Sequence, residues 1–284
     1  MPRELPRTLV TVFSFLRQPK WIIFTLLLPL GIAVCLFASH WQYTRHVHRS
    51  ALNTLIHTNA AQPVVGVADL LTPGNPMPPE DAYRRVVASG SFTGPTSLVR
   101  KRPLDGEAGF WVVDTLRTDS GPLLQVLRGW VKMTGTATST PSVPSPPAGP
   151  VTVTGWLQAS ELEKLPRPTD LPAGQVTALD TTVLAAGQPS YTPYLVAQAM
   201  IPTDTDQLKP VPMPDPGLGP HLAYSWQWLF FAVLLPTAWV IFARREIVAR
   251  REELAAATGA ANGDDASDDP NGDERIDDEV PADR

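Results

Sequence analysis

Hydrophobic and polar positions fall into three regimes along this chain. Residues 21–43 contain no charged side chain beyond a histidine, His40, and residues 222–243 contain none before Arg244 and Arg245 end the run. Either run is long enough to cross a hydrocarbon core of about 30 Å at about 1.5 Å per residue, so each predicts a membrane-spanning helix. Trp21, Trp41 and Tyr43 sit near the ends of the first run. Tyr224, Trp226, Trp228 and Trp239 sit near those of the second, as rings that settle at headgroup level do. Pro29 and Pro236 fall inside the runs and predict kinks rather than breaks. Beyond the first run Leu52, Leu55 and Ile56 keep a helical spacing until Pro63, so the first helix is expected to continue past the bilayer.

Between the two runs the period drops to two. Segments 84–92, 96–103, 109–118, 122–133, 151–158, 174–181 and 192–201 are short, rich in β-branched and aromatic residues, and bounded by Gly, Pro or Asp. They predict consecutive antiparallel strands. Two of them echo each other, 86–92 and 151–157, with Gly90 and Gly155 inside the strand pattern, which predicts one bulge or bend used twice. Residues 134–150 are a Pro, Ser and Thr stretch expected to be a flexible connection. Beyond Leu254 the chain turns acidic and is expected to be disordered. The fold class expected is a membrane protein with two transmembrane α-helices flanking an extracytoplasmic all-β or mainly-β domain, a small antiparallel barrel or sandwich.

Basic flanks set the expected orientation. Arg3, Arg7, Arg17 and Lys20 precede the first span, and Arg244, Arg245, Arg250 and Arg251 follow the second, so both termini are expected in the cytoplasm of a multi-pass cell (plasma) membrane protein. Arg45 and Arg49 oppose this slightly. The first run is too long for a cleaved signal peptide and no small-x-small site follows it. The division is then 1–20 cytoplasmic, 21–43 first span, 44–220 extracytoplasmic domain, 221–243 second span, and 244–284 a cytoplasmic basic flank with an acidic tail.

Composition narrows the chemistry. The formal charge of -5 over 284 residues comes mostly from the tail and says little about the folded part. With Cys35 as its one cysteine, the chain cannot build an internal disulfide or a thiolate clamp for zinc, and copper delivery is disfavoured. Cys35 is expected to face lipid or fill a helix contact. There is no P-loop, no GxGxxG and no basic patch interleaved with aromatics, so no nucleic-acid partner is expected. Asp114-Thr115 and Asp180-Thr181 lack the glycine of an acid-protease loop and are expected at strand ends. Arg84, Arg85, Arg100, Lys101, Arg102 and Arg128 are either solvated strand faces or a site for carboxylates.

None of the five histidines lies between His57 and His221, so a Ser-His-Asp or Cys-His site has no imidazole within the β-domain and the chain is not expected to be an enzyme. His40 and His221 should reach the same outer membrane boundary. They are either wet interfacial imidazoles or, one or both, ligands to a metal between the helices, haem iron above all.

Several motifs together resemble one family. The first span closes in Ser39-His40-Trp41-Gln42-Tyr43-Thr44-Arg45, against a family pattern of Gly-x-Trp-Gln-x-x-Arg, with Ser39 in place of the glycine. Tyr83-Arg84-Arg85-Val86 leading to Gly90-Ser91-Phe92, Gly109-Phe110, Val126-Leu127-Arg128-Gly129-Trp130-Val131, and His221-Leu222-Ala223-Tyr224-Ser225-Trp226-Gln227-Trp228 follow in order. The chain resembles the Surfeit locus protein 1 family of cytochrome c oxidase assembly factors. The resemblance implies a role in delivering haem a to the oxidase catalytic subunit, with that subunit and the haem a synthase as partners beside the lipid bilayer. It also implies His221 as the residue tied to haem. His40 has no such warrant. Trp41, Gln42, Arg45, Tyr224 and Trp228 stand near as residues that could pack or present the cofactor. A structural scaffold for the oxidase, with no bound cofactor, is the alternative.

Overall fold

In the computed structural model, residues 13–135, 139–162, 170–204 and 207–264 are described. They form two compact units, one made of the terminal segments up to His46 and from Gly219 onward, the other of Val47–Leu218.

The terminal unit is built on two long helices, α1 (Pro19–Ala61) and, last in the chain, α4 (His221–Asp264). Each continues through its proline, and only 11% of the most apolar stretch of either is buried. A core helix of a soluble protein would bury that stretch; here many of the leucine, isoleucine and phenylalanine side chains are exposed, and both helices are long and apolar enough to cross a membrane. What is buried is a narrow stripe at three- and four-residue spacing: Trp21, Cys35 and Ser39 on α1, and Ser225, Ala232 and Ala243 on α4. Gly31 belongs to the same stripe, and a Cβ there would come within 3.1 Å of Leu235. Small residues let the backbones of the two helices approach closely. Cys35 is therefore a helix-contact residue. α4 runs through Leu254 to Asp264, into the stretch expected to be disordered, while residues 265–284 of the acidic tail lie outside the described residues.

The second unit is a barrel. Its strands are β1 (Val65–Gly66), β2 (Arg85–Val99), β3 (Gly109–Thr118), β4 (Leu123–Lys132), β5 (Pro150–Gln158), β6 (Gln175–Val176) and β7 (Ser190–Ile201). Two one-turn helices, α2 (Val67–Leu70) and α3 (Thr181–Leu184), lie between them. The order β2-β3-β4-β7-β5 closes on itself because β2 pairs with β5 as well as with β3. Strand β2 manages both pairings by its length: residues 85–91 face β5, and residues 90–99 face β3 across a register shift between Thr93 and Ser97.

Three sequence expectations change here. The segments 84–92 and 96–103 are one bent strand rather than two. Segment 174–181 contributes only the two residues of β6, after which Asp180 caps α3 by accepting from the backbone N–H groups of Thr182 and Val183. The sheet is also not wholly antiparallel, since β4 runs parallel to β7, and β1 and β6 run parallel to β2. Five barrel strands with a parallel third and fifth describe a Greek-key barrel of the OB type, a topology that by itself assigns no function. The interior is filled by Val86, Leu116, Leu124, Val126, Val153, Leu157 and Leu195, all under 1% exposed. Strand β4 is buried on both faces from Leu123 to Trp130, which is why its sequence shows little alternation.

The two echoing segments are neighbours: Val86 pairs with Gly155 and Gly90 with Val151. A bulge occurs at Gly155, against β7, but none at Gly90. What the glycines share is a close approach, with a Cβ at Gly90 colliding with the Arg117 carbonyl and one at Gly155 with the Val196 carbonyl. Gly155→Ala is expected to cost about 2–3 kcal/mol by forcing β5 off β7. A thermal melt of the detergent-solubilised chain checks this, and an unchanged midpoint contradicts it.

Candidate functional site

At the start of α4 the sequence brings His221 and Ser225 one turn apart on the stripe that meets α1. Ser39 and Ser225 interlock there. Ser39 Oγ donates to the Ser225 carbonyl at 3.0 Å, Ser225 Oγ donates to the Ser39 carbonyl at 3.1 Å, and the two hydroxyls are 3.1 Å apart. Both side chains are buried. Ser39 thus does more than fill the position of a glycine in the motif it resembles. Ser39→Ala is expected to lower stability by about 1 kcal/mol and Ser39→Leu by more, because leucine also pushes the backbones apart. Equal melting midpoints for wild type and Ser39→Leu would contradict the tight seam.

One turn beyond this lock, His221 Nδ1 lies 2.9 Å from Gln42 Oε1. A carboxamide oxygen can only accept, so Nδ1 donates to it, and in the neutral imidazole Nε2 then carries no hydrogen. A neutral imidazole held in that tautomer by a neighbour is the arrangement in which Nε2 serves as a metal ligand.

The other expected residues divide between the two flanks of the seam. At about 100° per residue, Gln42 and Arg45 turn to one side of Ser39 and His40 and Tyr43 to the other. His221, Tyr224 and Trp228 follow the Gln42 side of Ser225, with Trp228 half-buried and Tyr224 exposed. Trp41 lies further round, 50% exposed, under the Arg45 guanidinium at 5.6 Å. His40 lines a groove of about 370 Å³ on the opposite flank, with Leu36, Tyr43, Leu222, Trp226 and Leu229. Of the expected residues, the structure joins Gln42 to His221, places Trp41 and Arg45 further round as an exposed pair and leaves His40 on the other flank, so the two histidines do not face a common ion.

The basic residues of the barrel separate in the same way. Arg100, Lys101 and Arg102 line a cleft of about 580 Å³ with Glu161, Leu162 and Thr177. In it Arg102 pairs with Glu161 and lies 4.1 Å from the Trp111 ring centre. Burial, with the Glu161 charge adding to it, pushes the neighbouring Tyr194 phenol well up.

Arg128 is not part of that cleft. Its side chain is fully buried, bonded through Nη1 to Asp114 at 2.8 Å and in a fork to Asp204 at 2.8 and 2.7 Å. Burial pulls its pKa down, but the hydrogen bonds to Asp204 and Asp114 more than offset this and raise it. Further bonds to the carbonyls of Pro144 and Ser145 pin the stretch expected to be a flexible linker. Asp114 lies inside β3, not at its end, and also accepts from Thr96 at 2.6 Å. Gly129 admits the Lys209 carbonyl, where a Cβ would stand 2.9 Å from it, and Trp130 donates its indole N–H to the Arg102 carbonyl. The Arg-Gly-Trp step is thus a structural lock. Its partners Asp114 and Asp204 carried no signal in the sequence, since separations of 14 and 76 residues belong to no local motif.

Among the described residues, no group of three or more His, Cys, Asp or Glu side chains could enclose a metal. The helix pair offers instead one imidazole bonded to a carboxamide, that of His221, and a separate one in a groove, that of His40.

A two-helix unit joined to a closed barrel, with a histidine at the start of the second helix, defines the class to which the comparisons then give a name. The model of the SURF1 family matches residues 30–233, from within the first apolar helix to within the second. SURF1-like proteins of Mycobacterium tuberculosis and Mycobacterium bovis, described as uncharacterised, are 30% identical over 253 residues, covering 86% of this chain and 91% of theirs. The chain belongs to the SURF1 family.

Proposed function

We propose that this protein is a non-catalytic assembly factor for cytochrome c oxidase, and that it holds haem a or hands it to the oxidase catalytic subunit. The observation that carries the reading is the His221–Gln42 hydrogen bond, since an imidazole held through Nδ1 could hold haem iron through Nε2. When bound, haem supplies an iron centre that accepts one imidazole. Gln42 would orient that imidazole, Trp228 and Tyr224, on the same side of the second helix, would offer rings to the macrocycle, and Arg45 would be a cation for a propionate. His40, on the other flank, is left out of the site.

In this proposal α1 and α4 cross the plasma membrane, both termini are cytoplasmic, and the barrel lies outside. The outward-facing apolar side chains and the basic flanks of the two runs support it. The haem a synthase and the oxidase catalytic subunit are the partners proposed, with the barrel as the docking surface.

The test is purification of the full chain in detergent from membranes that make haem a, with a protein inventory of the eluate and a spectrum of the chain recorded once the oxidase subunits have been separated from it. A Soret band together with oxidase subunits is expected. Oxidase subunits without a Soret band, under plentiful haem a, would instead favour a scaffold that binds no cofactor.

A further inference from the structure

The opposite end of the helix pair from His221 carries a second groove, of about 530 Å³, that the proposed haem role does not use. Trp21, Phe24 and Phe242 wall it, and Lys20, Arg245 and Glu246 stand around it. The wall is a braced aromatic cluster: Trp21 meets Phe24 edge-on at 6.1 Å, Phe24 meets Phe242 at 6.4 Å, and Trp239 meets Trp21 at 6.3 Å. Behind it the helical turn Phe13–Arg17 folds in, placing Phe15, 1% exposed, against Trp21 at 4.8 Å. Arg250 fixes this turn, its guanidinium 5.7 Å from the Phe15 ring and bonded to Ser14 Oγ at 3.2 Å.

The charges around the groove do not cancel. Glu246 is engaged by Arg250 at 3.1 Å, whereas among the described residues neither Lys20 nor Arg245 is paired with a carboxylate. Two such cations beside an apolar aromatic trough call for a ligand with an anionic head and a hydrocarbon body. A free phosphate would gain nothing from the aromatic wall, and a neutral acyl chain nothing from the two cations. We infer that this groove binds an anionic glycerophospholipid, its phosphate between Lys20 and Arg245 and an acyl chain along Phe24 and Phe242. Basic pockets between membrane helices on the cytoplasmic side bind such headgroups. The inference rests on both helices crossing a membrane.

Native mass spectrometry of the delipidated full chain, titrated with phosphatidylglycerol, with phosphatidylcholine of the same acyl chains, and with inorganic phosphate, tests it. Phosphatidylglycerol should be retained over phosphatidylcholine. Lys20→Gln with Arg245→Gln should weaken its binding roughly thirtyfold, since each basic residue near the headgroup contributes about 1 kcal/mol. Arg244→Gln with Arg251→Gln, outside the groove, should change it less than about threefold. Equal retention of both lipids, full retention by the Lys20/Arg245 variant, or equal binding of inorganic phosphate overturns the site. Alkaline carbonate extraction separates the two levels: a chain released from membranes sinks the two-span reading, while one that stays embedded without preferring the anionic lipid sinks the groove alone.

Discussion

Arg128→Ala is expected to destabilise the barrel by about 3–5 kcal/mol, because it strands the buried Asp114 carboxylate without its counter-charge. For a domain of this size that corresponds to a fall of roughly 10 °C in the melting midpoint. The loss is larger than that of an ordinary salt bridge for three reasons. The guanidinium is wholly buried, it makes a two-pronged contact with Asp204, and it also satisfies the carbonyls of Pro144 and Ser145. Removing it therefore releases three segments at once. Arg128→Met with Asp114→Asn should recover part of the loss, since the carboxylate is then gone and Thr96 can still donate to the asparagine oxygen. A midpoint for Arg128→Ala within about 2 °C of wild type would mean that the triad is not what holds these segments. Haem retention is the companion measurement, because damage from Arg128 should reach it only through folding.

His221→Ala, in contrast, is expected to abolish the Soret band of the purified protein while leaving its melting midpoint nearly unchanged. The side chain is half-buried at a helix end and among the described residues it bonds to Gln42 alone, so little packing is lost. Gln42→Leu should weaken haem retention roughly 10- to 100-fold without abolishing it, the usual consequence of removing the group that orients a ligand. His40→Ala should leave the band intact, since His40 lies on the other flank of the seam. Loss of the band in His40→Ala and its survival in His221→Ala would reverse the assignment. Survival in both would move the ligand away from this helix end altogether.

The site was legible in part, and the reason is local geometry. His221, Tyr224, Ser225 and Trp228 are spaced so that one helix carries them along one side, and a helical period is visible in a linear string. The partnership of His221 with Gln42 joins residues 179 positions apart, and that of Ser39 with Ser225 joins residues 186 apart. Only the packing of two helices decides which side of α1 meets which side of α4. The same packing separated His40 from His221, although hydropathy alone placed them at one depth.

For the barrel, alternation of side chains announced strands but not their partners. Segments 84–92 and 96–103 looked like two strands because Gly94 and Pro95 interrupt the pattern, yet the chain bends there and continues. The parallel pairing of β4 with β7 has no local signature, because strand direction depends on the path of the connection between them. Arg128 was one of several cations read either as solvated or as a site for carboxylates, and it binds two carboxylates of the chain itself, at a depth that charge in a sequence does not reveal.

By itself, then, the sequence determined the two apolar helices, the β character of the middle, the histidine-poor interior and the family, because hydropathy period, composition and short motifs are local properties. The tertiary structure alone decided that the barrel closes, that Arg128 is a buried tie, and that His221 rather than His40 is paired and oriented. Each of these depends on contacts between distant residues, and such contacts exist only once the chain is packed.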